Sequence, residues 1–205
     1  MNENLENFWQ HNHQHKKLLS GSKPEEAYKQ HQITNLVNGK RSIVLEIGVG
    51  TAISIQYLAK KHDVVAVDIC SNALMKVDKI AKTYLTKDMP KIDSNSIDFG
   101  LSHIVLQHCD DDMVDFIVSN VIRVLKPDGL FSFHFSVGES LQEYTRKRLF
   151  KDGLEIEFLD RPVSMLENII AKNGGVVTKF ISYPKKMGKK GDILWYFLHV
   201  AKKTI

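Results

Sequence analysis

The run Ser42–Ile47, Ser-Ile-Val-Leu-Glu-Ile, ends on the turn Gly48-Val49-Gly50, and this pairing restricts the fold more than any other feature of the chain. An unbroken apolar run, rather than an alternating one, marks a strand covered on both faces, as in a parallel sheet. Parallel strands need crossover helices, and the sequence supplies them in alternation. Thr51–Lys61 reads as a helix with an apolar stripe at Ile55, Leu58 and Ala59, and Val64–Val67 as a second buried strand. Ser71 can cap a helix in which Leu74, Val77, Ile80 and Ala81 recur at helical spacing. Thr83–Thr86 and Ile97–Ser102 give the third and fourth strands. Asp110 or Asp111 caps a helix marked by Met113, Phe116, Ile117, Asn120, Val121 and Val124. Pro127-Asp128-Gly129 stops that helix and turns the chain into a fifth strand, Leu130–Phe135. Ser164 and Glu167 form a capping box for a helix ending at Gly174-Gly175. Val176–Tyr183 and Ile193–Ala201, joined by a Lys/Gly turn, close the chain as an antiparallel pair. The pattern predicts an α/β fold, doubly wound, with seven strands, mostly parallel, an antiparallel last strand and helices on both faces.

A chain of 205 residues supports one substantial core. Residues 1–40, polar and helical in character, read as an N-terminal arm or lid, and residues 41–205 as the α/β domain. With 43% hydrophobic and 25% charged residues, the composition is that of a soluble globular protein. The longest apolar runs are strand-sized, so no membrane span is expected, and Met1-Asn2-Glu3-Asn4 lacks the pattern of a secretory signal. Cys70 and Cys109 stand far apart, outside any CxxC spacing, which predicts free thiols in a reducing cytoplasm. His11, His13 and His15 fall at i, i+2, i+4, which puts the middle one on another helix face. No metal site is expected from them. Lys185, Lys186, Lys189 and Lys190 cluster near the end of a chain whose net charge is only +4. No aromatic residues interleave with them as stacking platforms, so a solvated turn is favoured over a nucleic-acid surface.

In doubly wound sheets, ligands sit outside the carboxyl ends of the strands, which directs attention to the residues just after each strand. Glycines at 48 and 50 let the backbone bend and approach a ligand, and the helix that follows presents unpaired N–H groups. Asp68, at the end of the second strand, is placed to accept the hydroxyls of an adenosine ribose. A dinucleotide site would want glycine at position 53, where the chain has Ile53.

Glu46-x-Gly48-x-Gly50-x-Ala52 instead resembles the acid-x-Gly-x-Gly-x-Gly motif of class I S-adenosylmethionine-dependent methyltransferases, with Ala52 replacing the last glycine. Ile92-Asp93-Ser94-Asn95-Ser96-Ile97-Asp98-Phe99 is similar to that family's approach to strand four. Val105-Leu106-Gln107-His108 resembles the segment that its small-molecule, type 11-like branch carries after that strand. Ile122-Arg123-Val124-Leu125-Lys126-Pro127-Asp128-Gly129 is close to its turn into strand five. The resemblance implies a Rossmann-like domain that binds S-adenosyl-L-methionine. It places Glu46, Gly48, Val49 and Gly50 at the methionine end of the cofactor, Asp68 on the ribose, Ile69 on the adenine, and Asp88 with the Met89 backbone on the adenine amino group. His103 would line the amino-acid end.

A sulfonium is already a strong electrophile, so the protein has only to hold a nucleophile in line with the methyl group. A hydroxyl acceptor also wants a base, and His108 and His134 stand near the carboxyl ends of strands, though either can equally be a structural histidine. No Asn/Asp-Pro-Pro-Tyr/Phe stretch follows strand four and no Pro-Cys nucleophile is present, leaving a metabolite, sugar or lipid-like acceptor as the expected partner. Its pocket would draw on Phe8, Trp9, Tyr28 and His108 and on the insert between Ser136 and Pro162. A protein or RNA acceptor, a cofactor-binding regulator without activity, and a nicotinamide oxidoreductase are the alternatives.

Overall fold

A computed structural model describes residues 3–15, 23–137, 144–149, 155–186 and 192–203. Its strands are β1 (Ile43–Ile47), β2 (Asp63–Asp68), β3 (Ala81–Leu85), β4 (Ile97–Ser102), β5 (Leu125–Val137), β6 (Tyr144–Leu149), β7 (Glu155–Asp160), β8 (Gly175–Lys186) and β9 (Asp192–Lys202). The helices are α1 (Glu3–His15), α2 (Pro24–Gln30), α3 (Thr34–Asn38), α4 (Ile53–Leu58), α5 (Ser71–Leu74), α6 (Asp111–Val124) and α7 (Val163–Lys172). Seven strands form one sheet in the order β3-β2-β1-β4-β5-β9-β8. The first five run parallel, and β9 is antiparallel to both β5 and β8. This is the Rossmann-like, doubly wound arrangement that the alternation predicted.

The two-sided burial of the apolar runs is direct. Along β1, Leu45 and Ile47 face one core while Val44 faces the other; along β2, Val65 and Val67 oppose Val64 and Ala66. Each such aliphatic side chain contributes about 1.5–3 kcal/mol relative to exposure. One face is closed by α6 and α7, through residues such as Ile117, Val121, Leu166 and Ile170. The other is closed by α4, α5 and the end of the N-terminal arm, from which Tyr28, Ile33 and Val37 join the same core as Val44 and Ile55. Reversal of strand order between β1 and β4 opens the crevice at their carboxyl ends.

Several elements depart from expectation for local reasons. Ala52 takes a left-handed conformation (φ +68°), which delays the helix predicted from Thr51 until Ile53. After Leu74 the predicted helix gives way to turns: Lys76, Val77 and Ile80 donate three residues back, and Met75 and Ile80 are exposed rather than packed. Pro127-Asp128-Gly129 lies inside β5, absorbed by a shift in its pairing with β4 between Ile97 and Phe99. The helix predicted to open at Ser164 begins at Val163, with Pro162 at its N-cap and no side-chain cap bond. The insert after β5 contains an antiparallel pair, β6 with β7, that no sequence signal announced. The lysine-rich turn between β8 and β9 and the central part of that insert lie outside the described residues. Among the described residues no helix is long and apolar enough to cross a membrane, and no group of three or more His, Cys, Asp or Glu is placed to hold a metal ion. Cys70 and Cys109 are both unbridged and buried.

Candidate active site

A cavity of about 250 Å³ occupies the crevice at the ends of β1, β2 and β4. Its wall brings together Glu46, Gly48, Val49, Gly50, Asp68, Ile69, His103, His108 and Trp9 from the sequence reading.

The glycine loop is built by backbone geometry. Gly48 has φ +88°, and a Cβ there would stand 2.2 Å from the Val105 side chain, so no larger residue fits. A Cβ built on Gly50 (φ +53°) meets nothing within 4 Å: its backbone borders open space on the cavity wall. Asp68 ties the loop down, because one carboxylate oxygen accepts from the Val49 N–H at 2.7 Å and the other from the Cys70 N–H at 2.8 Å. Burial raises its pKa to about 6, against the pull of those N–H donors.

Glu46 lies deeper. Burial pushes its carboxyl up to about 8, although the Ser54 hydroxyl donates to it at 2.8 Å and works in the other direction. Ser54 has a single proton, spent on Glu46, so the Tyr28 hydroxyl is the donor in their 2.8 Å contact. Tyr28 thus stands behind the cavity wall, buried and with its own pKa raised by burial and by the neighbouring Glu46. It supports Glu46 through Ser54 and does not line the pocket assigned to it. Phe8 is likewise buried, edge-on to Trp9 at 5.2 Å.

Three other assigned residues, Asp88, Met89 and His134, stand apart from this wall. Asp88 and Met89 are absent from the cavity wall: the Asp88 carboxylate pairs with Lys91 at 2.8 Å, and the Met89 carbonyl accepts from Arg123 at 2.9 Å. Thr86 represents that segment in the wall instead. A short 3-10 helix over Thr86–Lys91, containing Pro90, turns the following residues away. His134 is fully buried behind the wall, and its Nδ1 accepts from the Ile104 N–H at 3.2 Å. Ile104 itself is β-branched yet has φ +58°, a strained turn directly after His103. His103 Nδ1 lies 3.1 Å from Nε2 of the buried His31, whose pKa is held well below the ordinary value by burial and the neighbouring histidines.

His108 remains on the wall, in a 3-10 turn over Leu106–His108. Its Nδ1 lies 3.1 Å from the Glu157 carbonyl of β7. A carbonyl can only accept, so Nδ1 carries the proton, and the lone pair of the neutral ring is on Nε2. Trp9 and Phe158 flank the imidazole edge-on, with centroids at 5.5 and 4.7 Å. Cys109 also lines the cavity, but burial pushes its thiol to about 12, so it is not a thiolate nucleophile. Sequence reasoning missed Ser54, Thr86, and Met113 and Ile117 of α6 in the wall; the apolar spacing of α6 was read only as core.

The donor set suits S-adenosylmethionine: a buried acid beside the glycine loop for an ammonium, an acid at the tip of β2 for a ribose, and an apolar stretch at Ile69, Met113 and Ile117 for an adenine. Residues 45–133 match a family model described as a methyltransferase domain. No curated protein matches the sequence. Among solved structures, the chain is similar to the Burkholderia thailandensis 1,6-didemethyltoxoflavin-N1-methyltransferase, crystallised with 1,6-didemethyltoxoflavin and S-adenosylhomocysteine. The identity is 15%, over 98% of this chain and 87% of that one, with a TM-score of 0.68. It is also similar to a Methanosarcina mazei SAM-dependent methyltransferase (17% identity, 84% and 98% covered, TM-score 0.66). A third likeness is to a Haemonchus contortus phosphoethanolamine N-methyltransferase bound to phosphomonomethylethanolamine and S-adenosylhomocysteine (15% identity, 86% and 52% covered, TM-score 0.59).

Proposed function

We propose that the chain is a class I S-adenosylmethionine-dependent methyltransferase of the type 11-like branch, and that its acceptor is a small molecule, a metabolite, sugar or lipid-like compound, methylated by direct in-line transfer. One observation carries the reading: Trp9 of the N-terminal arm and His108 after β4 meet edge-on at 5.5 Å on the wall of the same cavity that holds Glu46 and Asp68. A pocket whose wall includes the arm suits a molecule that enters it whole.

When bound, S-adenosylmethionine supplies the methyl group as a sulfonium electrophile. Glu46, with Ser54 behind it, would hold the ammonium; the Gly48–Gly50 backbone would allow close approach; Asp68 would accept from the ribose hydroxyls. Ile69 would pack against the adenine and Thr86 would border it. His103 and Ile104 face the amino-acid end. Trp9 and Leu5 enclose the acceptor and exclude water, which keeps the hydrogen bonds at the crevice strong. His108 Nε2 would take the proton from the acceptor heteroatom as that atom is methylated. The acceptor burial and the orientation of His108 are worth several kcal/mol through geometry alone.

The test is transfer of a radiolabelled methyl group to a panel of purified metabolites, with total cell protein and RNA as parallel acceptors. Label entering one or a few small molecules, with a loss of about 10²-fold in His108→Gln, is the expected result. Label confined to the protein or RNA fraction overturns the small-molecule reading. Unaltered turnover in His108→Gln removes the base.

A further inference from the structure

Among the described residues, the largest fully buried side chain is a cation. Arg161, just after β7, is 1% exposed, yet it lies outside the cavity wall. Every hydrogen bond of its guanidinium goes to one short stretch of chain. Nη1 donates to the Leu106 carbonyl at 3.2 Å, Nη2 to the Cys109 carbonyl at 2.6 Å, and Nε to the Asp111 carboxylate at 2.8 Å. Leu106 and Cys109 bracket the 3-10 turn that ends in His108, and Asp111 opens α6 directly beyond it. The Arg161 N–H is in turn held by the Ser136 carbonyl at 3.3 Å, which fixes the base of the insert to the end of β5.

A buried guanidinium is costly to desolvate, and a turn needs no cation to form, so the placement calls for a reason beyond local stability. The same insert touches His108 twice more: the Glu157 carbonyl accepts from Nδ1, and the Phe158 ring packs against the imidazole. Residues 157, 158 and 161 therefore act on one turn from one side. A planar fork with fixed donors suits this task, because it locks two carbonyls and a carboxylate in a single orientation where an ammonium would pivot. We infer that Arg161 is a positioning residue for methyl transfer: it clamps the turn at Leu106 and Cys109 so that His108 keeps its Nδ1–H on the Glu157 carbonyl and presents Nε2 at the cavity. The inference rests on the reading of His108 as the acceptor's base, and it adds that the β6–β7 insert sets that base's tautomer.

The test reads the imidazole itself and needs no knowledge of the acceptor. The full-length, 15N-labelled protein is saturated with S-adenosylhomocysteine, and the tautomer and titration of His108 are read from long-range 1H–15N spectra, assigned with His108→Gln. Wild type is expected to hold the Nδ1–H tautomer. Arg161→Gln is expected to give mixed tautomers and a displaced titration midpoint, with S-adenosylhomocysteine affinity within about threefold of wild type. Arg161→Lys falls between. A folded Arg161→Gln protein that binds S-adenosylhomocysteine and leaves the His108 spectrum unchanged overturns the inference. Should Arg161→Gln fail to fold, Arg161→Lys decides it: an ammonium cannot hold the Leu106 and Cys109 carbonyls in the fork's fixed geometry, and an unchanged His108 tautomer there is equally fatal. Turnover separates the two ideas. Normal turnover in His108→Gln with a shifted tautomer in Arg161→Gln sinks the base and spares the clamp, whereas an unchanged tautomer with lost turnover does the reverse.

Discussion

Glu46 provides the sharpest test of the cofactor site, because cofactor binding must change its charge. Burial raises its pKa to about 8, so at pH 7 roughly nine in ten molecules without ligand carry it protonated. An ammonium placed against it favours the carboxylate, so binding releases about 0.9 proton at pH 7 and about half a proton at pH 8. The sign follows from which state holds the proton: the unliganded crevice holds it, the liganded one does not, and affinity therefore rises with pH. Between pH 6 and 7 the gain is about tenfold, or about 1.4 kcal/mol. Asp68, raised only to about 6, adds roughly a tenth of a proton at pH 7. Replacing Glu46 by Gln removes a charge-assisted hydrogen bond of about 1.5–3 kcal/mol but also the ionisation cost of about 1.4 kcal/mol at pH 7. The affinity lost is then about tenfold or less at pH 7 and grows toward pH 8. Calorimetry with S-adenosylhomocysteine, which carries the same amino-acid end, in phosphate and in Tris at pH 7 counts the protons from the difference in heat. Equal heats in the two buffers for wild type, or a dissociation constant flat from pH 6 to 7, would refute the placement of the ammonium on Glu46.

Asp68→Ala should cost at least about tenfold in cofactor affinity, since it removes both the acceptor for the ribose and the bonds to the Val49 and Cys70 N–H groups; an unchanged dissociation constant by calorimetry contradicts this. Gly48→Ala should destabilise the fold by about 2–4 kcal/mol, because it combines a positive φ with a methyl 2.2 Å from Val105, and Val105→Ala in the same chain should recover part of the loss in urea unfolding. For Ala52, at φ +68° and 1% exposed, release of about 1–2 kcal/mol of left-handed strain by Gly is offset by about 0.5–1 kcal/mol of backbone entropy and about 0.8 kcal/mol for a buried methyl. Ala52→Gly should therefore shift stability by under about 1 kcal/mol while Ala52→Val costs about 2–3 kcal/mol, and equal melting temperatures for the two variants would contradict that balance.

The parts of the fold that were legible are those in which one side chain's surroundings are dictated by its neighbours in sequence. Runs such as Val64–Val67 cannot be solvated on either side, so they announce a parallel sheet and, with the intervening helices, its winding. Helix lengths were less legible because they depend on φ at single residues. Ala52 turns left-handed and shortens α4, and nothing in an alanine signals that choice. Pro127-Asp128-Gly129 carries turn chemistry, yet pairing of β5 with β4 overrides it by shifting register. The crevice was legible for the first reason: Glu46 and Asp68 stand at the ends of β1 and β2, and Gly48 and Gly50 just beyond β1, on strands whose position was already determined.

The acceptor end was not, and the cause is chemical. What fixes His108 is a carbonyl, at Glu157, and what fixes the turn beneath it is a guanidinium gripping two more carbonyls, at Leu106 and Cys109. Every residue has a carbonyl, so these contacts carry no residue-type signature. The insert that delivers them alternates charged and apolar residues, as in Glu-Ile-Glu-Phe-Leu-Asp, a pattern weak enough to pass for a loop. Asp88 was assigned to the adenine by its type and rough position; in the structure it sits in a 3-10 turn and pairs with Lys91. It follows that two chains with the same glycine loop and the same acid after β2 can treat an acceptor differently when the insert after β5 offers its carbonyls at another register. A one-residue deletion within Glu155–Asp160 should then disturb His108 while leaving S-adenosylhomocysteine bound, because a one-residue slip exchanges the faces of a strand and places a different carbonyl opposite Nδ1.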